Sequence, residues 1–385
     1  DGAAIVGTTK DDVYNGIIIH GGTTDTLTSG DVIAGGAGAD TLNITATGTS
    51  GGAASSVSGI TTTGIESITL TNLEAGASAT VTIDAAAMTG ITSISATNAT
   101  ANGESAFSNL AAQVDASMTA NAGNLTLTYL AAVTAGTADT QNLTVSGSNG
   151  AFTANGFETV AVTSSGLAAT VADITSAGML TITAAGDQNL TLTTVDAAVT
   201  TVNASAMTGN FTMTSGGAGD DTITGGAGDD TINMAGTLTV ADVIDGGAGT
   251  DTVSMTGHLA ATTTLATAFK LSNVETFKVT GANAAAFTID ADGQAGLTKI
   301  QLVENNASTT ATSVTNLAAG VAVDVVSSSD ANDVHGVVSI GLKDASGSAD
   351  ALTVTLQGTN LADDDGTDND VGDLAFTNIE TLNLV

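Results

Sequence analysis

Four stretches of this chain repeat one arrangement of glycine and aspartate. Residues 35–43, 216–224, 225–233 and 246–254 each read Gly-Gly-x-Gly-x-Asp-x-apolar-x. The glycines allow a tight turn that a residue carrying a Cβ cannot follow. The carbonyls of such a turn point inward, and the aspartate adds a carboxylate. Hard oxygen donors at flexible geometry suit Ca²⁺ better than a transition metal. The expected metal-site residues are Gly35, Ala37 and Asp40 in the first copy, and Gly216, Ala218, Gly219 and Asp221 in the second. Gly225, Ala227, Gly228 and Asp230 serve the third copy, and Gly246, Ala248, Gly249 and Asp251 the fourth. Degenerate copies add Asp31 before Gly35, Asp242 before Gly246 and, more loosely, Asp12 in the stretch 7–15.

The elements that position these groups follow from the same motif. The apolar residue two past each aspartate enters a short strand and points to a core. That is the nonapeptide of a parallel β-roll, in which turn n faces turn n+2. The central block then pairs Asp221 with Asp242 and Asp230 with Asp251. Both pairs lie twenty-one residues apart rather than the eighteen of uninterrupted copies, because Met234-Ala235-Gly236 is inserted once. The Gly35 copy leans on Asp31 and Asp12.

Elsewhere the chain is rich in pieces that alternate an apolar residue with Thr or Ser. Ser67-Ile68-Thr69-Leu70, Ala79-Thr80-Val81-Thr82-Ile83, Leu125-Thr126-Leu127-Thr128 and Leu352-Thr353-Val354-Thr355-Leu356 are examples. A period of two predicts strands with one buried face. Helix signals are confined to residues 107–118 and 84–88, which are expected to form short helical turns. A longer repeat joins an Asp-led strand to a later Glu-Thr or Glu-Ser strand: Asp40 to Glu66, Asp139 to Glu158, Asp251 to Glu275 and Asp350 to Glu380. Those glutamates are expected as surface carboxylates at coil corners, with contact to a cation as the other reading.

The charge supports bound cations. Thirty-nine acidic residues face five lysines and no arginine, for a formal net charge of −34. Five lysines cannot balance that charge. Mean hydropathy is nevertheless +0.30, which argues against disorder through low hydrophobicity. Phosphates would be repelled, so nucleic acid is excluded as a partner, and an anionic membrane surface with it. No apolar run nears the ~20 residues of a membrane span. With no cysteine there are neither disulfides nor thiolate metal sites. Aromatics are only 3% of the chain, which suits a narrow interior filled by small aliphatic side chains. The chain starts without an initiator Met and ends within a strand motif, so it reads as a piece of a longer protein.

The nonapeptides at 216–233 and 246–254 resemble those of RTX-type calcium-binding proteins. The run 242–251, together with strands such as Asn378-Ile379-Glu380-Thr381-Leu382, resembles the Caulobacter-type surface-layer proteins. The resemblance implies one-step secretion, folding on meeting extracellular calcium, and a place at the cell surface. It implies a partner that is the protein itself, in a homo-oligomeric lattice or fibre, with cell-surface polysaccharide as a second candidate.

Other groups weigh less. The acidic loop 363–370 lacks the twelfth-position Glu of an EF-hand and reads either as a further calcium site or as a solvated turn. His20, His258 and His335 share no ligand spacing and are read as loop or surface residues. Gly48-Thr49-Ser50-Gly51-Gly52 matches a hydrolase elbow in letters only, because it lies in a Gly/Ser/Ala tract. Asn124-Leu125-Thr126 is read as a strand edge rather than a glycosylation site.

The expected fold is all-β, from right-handed parallel β-roll and β-helix segments, with a string of small β-sandwich modules as the alternative. Residues 1–50 form an N-terminal calcium-binding roll, 51–215 a strand array, 216–256 the central roll, and 257–385 a second array. The expected function is structural and non-enzymatic: self-assembly outside the cell, rigidified by calcium. An adhesin or biofilm-matrix protein, or the calcium-binding tail of a secreted enzyme, are the other readings.

Overall fold

A computed structural model describes residues 4–21, 24–49, 55–75, 79–217, 219–256, 269–281, 287–304, 311–327, 337–344, 346, 350–357 and 374–385. The chain divides into two compact units, Asp1–Val199 with Ala206–Gly209, and Thr200–Ser205 with Asn210–Val385. Among the described residues there is no helix, and every strand pair is parallel. Both units are parallel β-solenoids. The β-sandwich alternative is thereby overturned, since sandwiches are built from antiparallel sheets.

In the first unit one long face stacks Val13–His20, Thr41–Gly48, Ser67–Asn72, Ser93–Thr97, Asp115–Thr119, Thr140–Ser146, Thr159–Ser164 and Thr181–Gly186. A second face stacks Ser55–Val57, Val81–Asp84, Ser105–Leu110, Leu125–Tyr129, Phe152–Ala154, Ala169–Thr175 and Leu190–Val195. A short third face holds Ile5–Val6, Val32–Ala34, Thr61–Thr63 and Met88–Thr89. Successive strands go to different faces, apart from Ser148–Asn149 and Phe152–Ala154, which both pair with Ala169–Thr175, and the chain then returns beside its earlier strand. The alternation read from the sequence is what the coils use. In Thr41–Gly48, Leu42, Ile44 and Ala46 are buried while Asn43 and Thr45 between them are half-exposed.

Register stacks like on like. Leu42, Ile68, Ile94, Ala116, Leu143, Val162 and Ala184 form one continuous buried column. In the second unit Met213, Ile232, Val253, Phe277, Ile300, Val323 and Val354 do the same. Each Val, Leu, Ile, Met or Phe of these columns contributes roughly 1.5–3 kcal/mol by leaving water, and each Ala less. The interior is less restricted to small aliphatics than the composition suggested. Phe107, Phe152, Phe157, Phe211, Phe269, Phe277 and Phe287, out of eight phenylalanines in the chain, are buried. Aromatics are few, and the core takes most of them.

The two helical expectations are corrected. Residues 107–118 fall in two strands, Ser105–Leu110 and Asp115–Thr119, joined through a turn. Phe107, Leu110, Val114 and Met118 mimic helical spacing, but Asn109 takes a left-handed φ of 58° and kinks the chain. Residues 84–88 form a turn closed by the Met88 N–H on the Ala85 carbonyl at 2.9 Å.

Candidate metal centre

Each nonapeptide turn runs into a short strand: Asp40 precedes Thr41–Gly48, Asp221 precedes Thr222–Thr224, Asp230 precedes Thr231–Asn233, and Asp251 precedes Thr252–Thr256. Asp242 stands likewise before Val243–Asp245. Residues two apart on a strand share a face. The buried Leu42, Ile223, Ile232, Ile244 and Val253 therefore carry the aspartates inward with them. Asp40, Asp221, Asp230, Asp242 and Asp251 are all at most 4% exposed.

These carboxylates form ladders. The Asp221 N–H donates to Asp242 Oδ1 at 2.8 Å, and the Asp230 N–H to Asp251 Oδ1 at 2.7 Å, each across 21 residues. Strand register agrees, with Thr222 opposite Val243 and Thr231 opposite Thr252. The Phe211 N–H donates in turn to Asp230 Oδ1 at 2.7 Å. In the first unit the Asp12 N–H donates to Asp40 Oδ1 at 2.7 Å, across 28 residues. The structure thus brings together Asp221 with Asp242, Asp230 with Asp251, and Asp12 with Asp40. Asp31 sits in another turn, where its Oδ2 accepts the Thr28 N–H at 2.7 Å and its carbonyl accepts the Thr61 N–H.

These turns let oxygens of the neighbouring coil approach glycines that lack a side chain. A β-carbon on Gly225 would stand 2.1 Å from the Gly246 carbonyl oxygen and 2.5 Å from Asp230 Oδ2. On Gly7 it would meet the Gly35 carbonyl oxygen at 1.9 Å and Asp12 Oδ2 at 2.8 Å. Carbonyl and carboxylate oxygens crowd the same face of these glycines. Gly35, Gly225 and Gly246 are buried, while Gly219 and Gly228 are half-buried. Gly216, Ala37, Ala227, Ala248 and Gly249 form the exposed rims of the turns, and Ala218 lies outside the described residues.

The electrostatics are unrelieved. Asp40 Oδ2, Asp221 Oδ1 and Asp251 Oδ2 are buried without a hydrogen-bond partner. Burial pushes the carboxyls of Asp221, Asp230 and Asp242 above the usual range, against the hydrogen bonds they accept. Asp251 is pushed up to about 6, chiefly by burial, with the charges of Asp230 and Glu275 adding. Lys299 and Lys343 pair elsewhere, with Asp324 and Asp292. Buried carboxylates held beside backbone carbonyls, with oxygens to spare, fit a hard divalent cation. Among the described residues no three acidic or histidine side chains converge, so an ion here would need backbone carbonyls or water as further ligands.

Two sets of residues take roles that the sequence reading did not give them. The glutamates of the longer repeat are latches. Glu66, Glu158, Glu275 and Glu380 accept the N–H of Asp40, Asp139, Asp251 and Asp350 at 2.7, 2.8, 2.7 and 2.9 Å. The first three are half-buried rather than free at a corner. Each follows a left-handed residue two positions before it: Gly64, Gly156, Asn273 and Asn378. That Gly/Asn-apolar-Glu-Thr/Ser signature was the available signal. The second set is His20, Ser55 and Glu74. His20 Nδ1 lies 2.5 Å from Ser55 Oγ and 3.5 Å from Glu74 Oε2, and Ser55 donates to Glu74 Oε1 at 2.9 Å. His20 is therefore not isolated. His258, His335, Ser50 and the loop 363–370 lie outside the described residues.

Comparison with known proteins agrees with this geometry. The model of the RTX calcium-binding nonapeptide repeat matches in four copies, over residues 25–43, 215–233 and 241–254. No curated protein matches the chain. The first and last matched stretches take in the degenerate copies at Asp31 and Asp242. Over these three stretches the chain is similar to the RTX calcium-binding nonapeptide repeat.

Proposed function

We propose that the chain is a secreted, calcium-dependent structural protein that assembles with copies of itself into a surface layer or extracellular fibre. One observation carries the calcium part: the ladders of buried aspartates with orphaned oxygens at Asp40, Asp221 and Asp251. Asp221 with Asp242, Asp230 with Asp251, and Asp12 with Asp40 would hold the ions, with carbonyls such as that of Gly246 beside them. Bound calcium supplies positive charge that five lysines cannot. The aspartates in turn set coil spacing, because each carboxylate also fixes the backbone of the preceding turn.

Assembly is supported by economy of design. Nearly all described residues are spent on coils whose outward positions are Thr and Ser, a repetitive surface suited to repetitive contacts. A charge of −34 opposes association of the metal-free chain and is lowered as ions bind. Negative-stain electron microscopy after calcium addition tests the reading. Ordered sheets or fibres, dispersed by chelator, are expected; a monodisperse monomer at millimolar calcium would overturn assembly and favour an adhesin.

A further inference from the structure

We propose that calcium ligation extends one turn beyond the nonapeptides, at two junctions that end on glutamate: Asp40 with Gly64 and Glu66, and Asp251 with Asn273 and Glu275. The proposal rests on the calcium reading above and adds sites outside the matched repeats.

The argument is one of equivalence. Between two nonapeptide turns, Gly225 faces the Gly246 carbonyl oxygen, with Asp230 Oδ2 alongside. At the first junction a β-carbon on Gly35 would stand 1.7 Å from the Gly64 carbonyl oxygen and 2.5 Å from Asp40 Oδ2. At the second, one on Gly246 would stand 2.0 Å from the Asn273 carbonyl oxygen and 2.6 Å from Asp251 Oδ2. Gly64 and Asn273 therefore occupy the place of a nonapeptide's first glycine. Both are left-handed, with φ of 61° and 50°, which glycine and asparagine tolerate.

The acidic partner is conserved in role and changed in length. Asp251 Oδ1 accepts the N–H of Asp230, and Glu275 Oε2 accepts the N–H of Asp251. Glu66 does the same for Asp40. The acid stands five residues after Gly246 but only two after Asn273. A glutamate, one methylene longer, reaches the ladder from the shorter turn. At both junctions the aspartate oxygen beside the crowded glycine, Asp40 Oδ2 or Asp251 Oδ2, is buried and has no partner.

A third junction has the latch without the glycine. Glu158 accepts the Asp139 N–H, but Thr134 stands five residues before Asp139, where Gly35 and Gly246 stand before Asp40 and Asp251. The Thr134 side chain packs against Gly156, its Oγ1 2.6 Å from where a β-carbon would be. Asp139 Oδ2 accepts the Gly136 N–H at 3.0 Å. The latch alone needs no ion, so the open oxygens at the other two junctions are not a by-product of it.

The test is bound calcium per chain, by equilibrium dialysis of the full chain and of Glu66→Gln, Glu275→Gln, Glu158→Gln and Asp230→Asn. Glutamine keeps an oxygen for the aspartate N–H and removes only the charge. Glu66→Gln and Glu275→Gln are each expected to lose one ion, or to bind it at least tenfold more weakly, while Glu158→Gln keeps the full number. Unchanged binding in both, with an ion lost in Asp230→Asn, overturns the junction sites and leaves the calcium reading intact. No calcium on the unaltered chain overturns that reading itself. Should a variant fail to fold, anomalous diffraction from wild-type crystals grown in calcium decides. Peaks beside Asp40 Oδ2 and Asp251 Oδ2 support the sites, and bare oxygens there overturn them.

Discussion

The backbone N–H of Asp230 donates to the carboxylate of Asp251 at 2.7 Å, across 21 residues of chain. One bond thus joins two turns and aims a buried acid at the place where the turns meet. It also makes the coil's geometry dependent on a charge that burial disfavours.

That dependence gives Asp251→Asn opposite effects in two conditions. Without calcium, the amide keeps an acceptor for Asp230 and removes a charge that burial and Glu275 both penalise. The variant is expected to melt higher than wild type in chelator. In calcium it loses a ligand and is expected to melt lower. Thermal melts in both buffers check the crossover; a shift of the same sign in both contradicts it.

The raised carboxyls also set a pH dependence. Asp251 titrates at about 6 when folded, against about 3.9 for an unfolded aspartate. Between those values the folded state binds more protons. Its contribution to metal-free stability is therefore full below about 3.9 and lost as pH rises through about 6. Asp221, Asp230 and Asp242 are raised too and act in the same sense. Metal-free protein should melt higher at pH 4 than at pH 7, and calcium should reverse the order because it binds the deprotonated acids. Calorimetry in buffers of different ionisation enthalpy should also show proton release on calcium binding near pH 5, roughly midway between those two values.

Asn273 is held at φ 50°, where Gly64 stands in the other junction. Asn273→Gly is expected to cost less than about 1 kcal/mol, chiefly the exposed bond from its Nδ2 to Asp245 Oδ1. Asn273→Val should cost about 1–2 kcal/mol more, because a branched side chain resists the left-handed region. Denaturant unfolding in calcium measures both; equal costs would contradict the turn's role.

Much of this architecture was legible in the residues. Alternation in pieces such as Ser67-Ile68-Thr69-Leu70 locates strands, because a solenoid strand has one buried face. The equal spacing of Asp221 to Asp242 and Asp230 to Asp251 followed from one insertion common to both. The Asp-to-Glu recurrence was also visible, but its meaning was not. Glu275 latches Asp251 only because Asn273 turns left-handed, and a residue name does not state its φ. His20, Ser55 and Glu74 meet because coils of unequal length stack in register, across 35 and 19 residues, a spacing with no motif. The false helix at residues 107–118 had the opposite cause, since two strands and a kink reproduced helical spacing.

The central claim is that calcium, held by buried aspartates, supplies free energy for folding the coils. Far-UV circular dichroism of the whole chain, in EDTA and in calcium at about 10⁻³ M, tests it most directly. A β spectrum with a cooperative melt in calcium, shifted to a much lower temperature in EDTA, is the predicted result. The same β spectrum and the same melting temperature in both would contradict it.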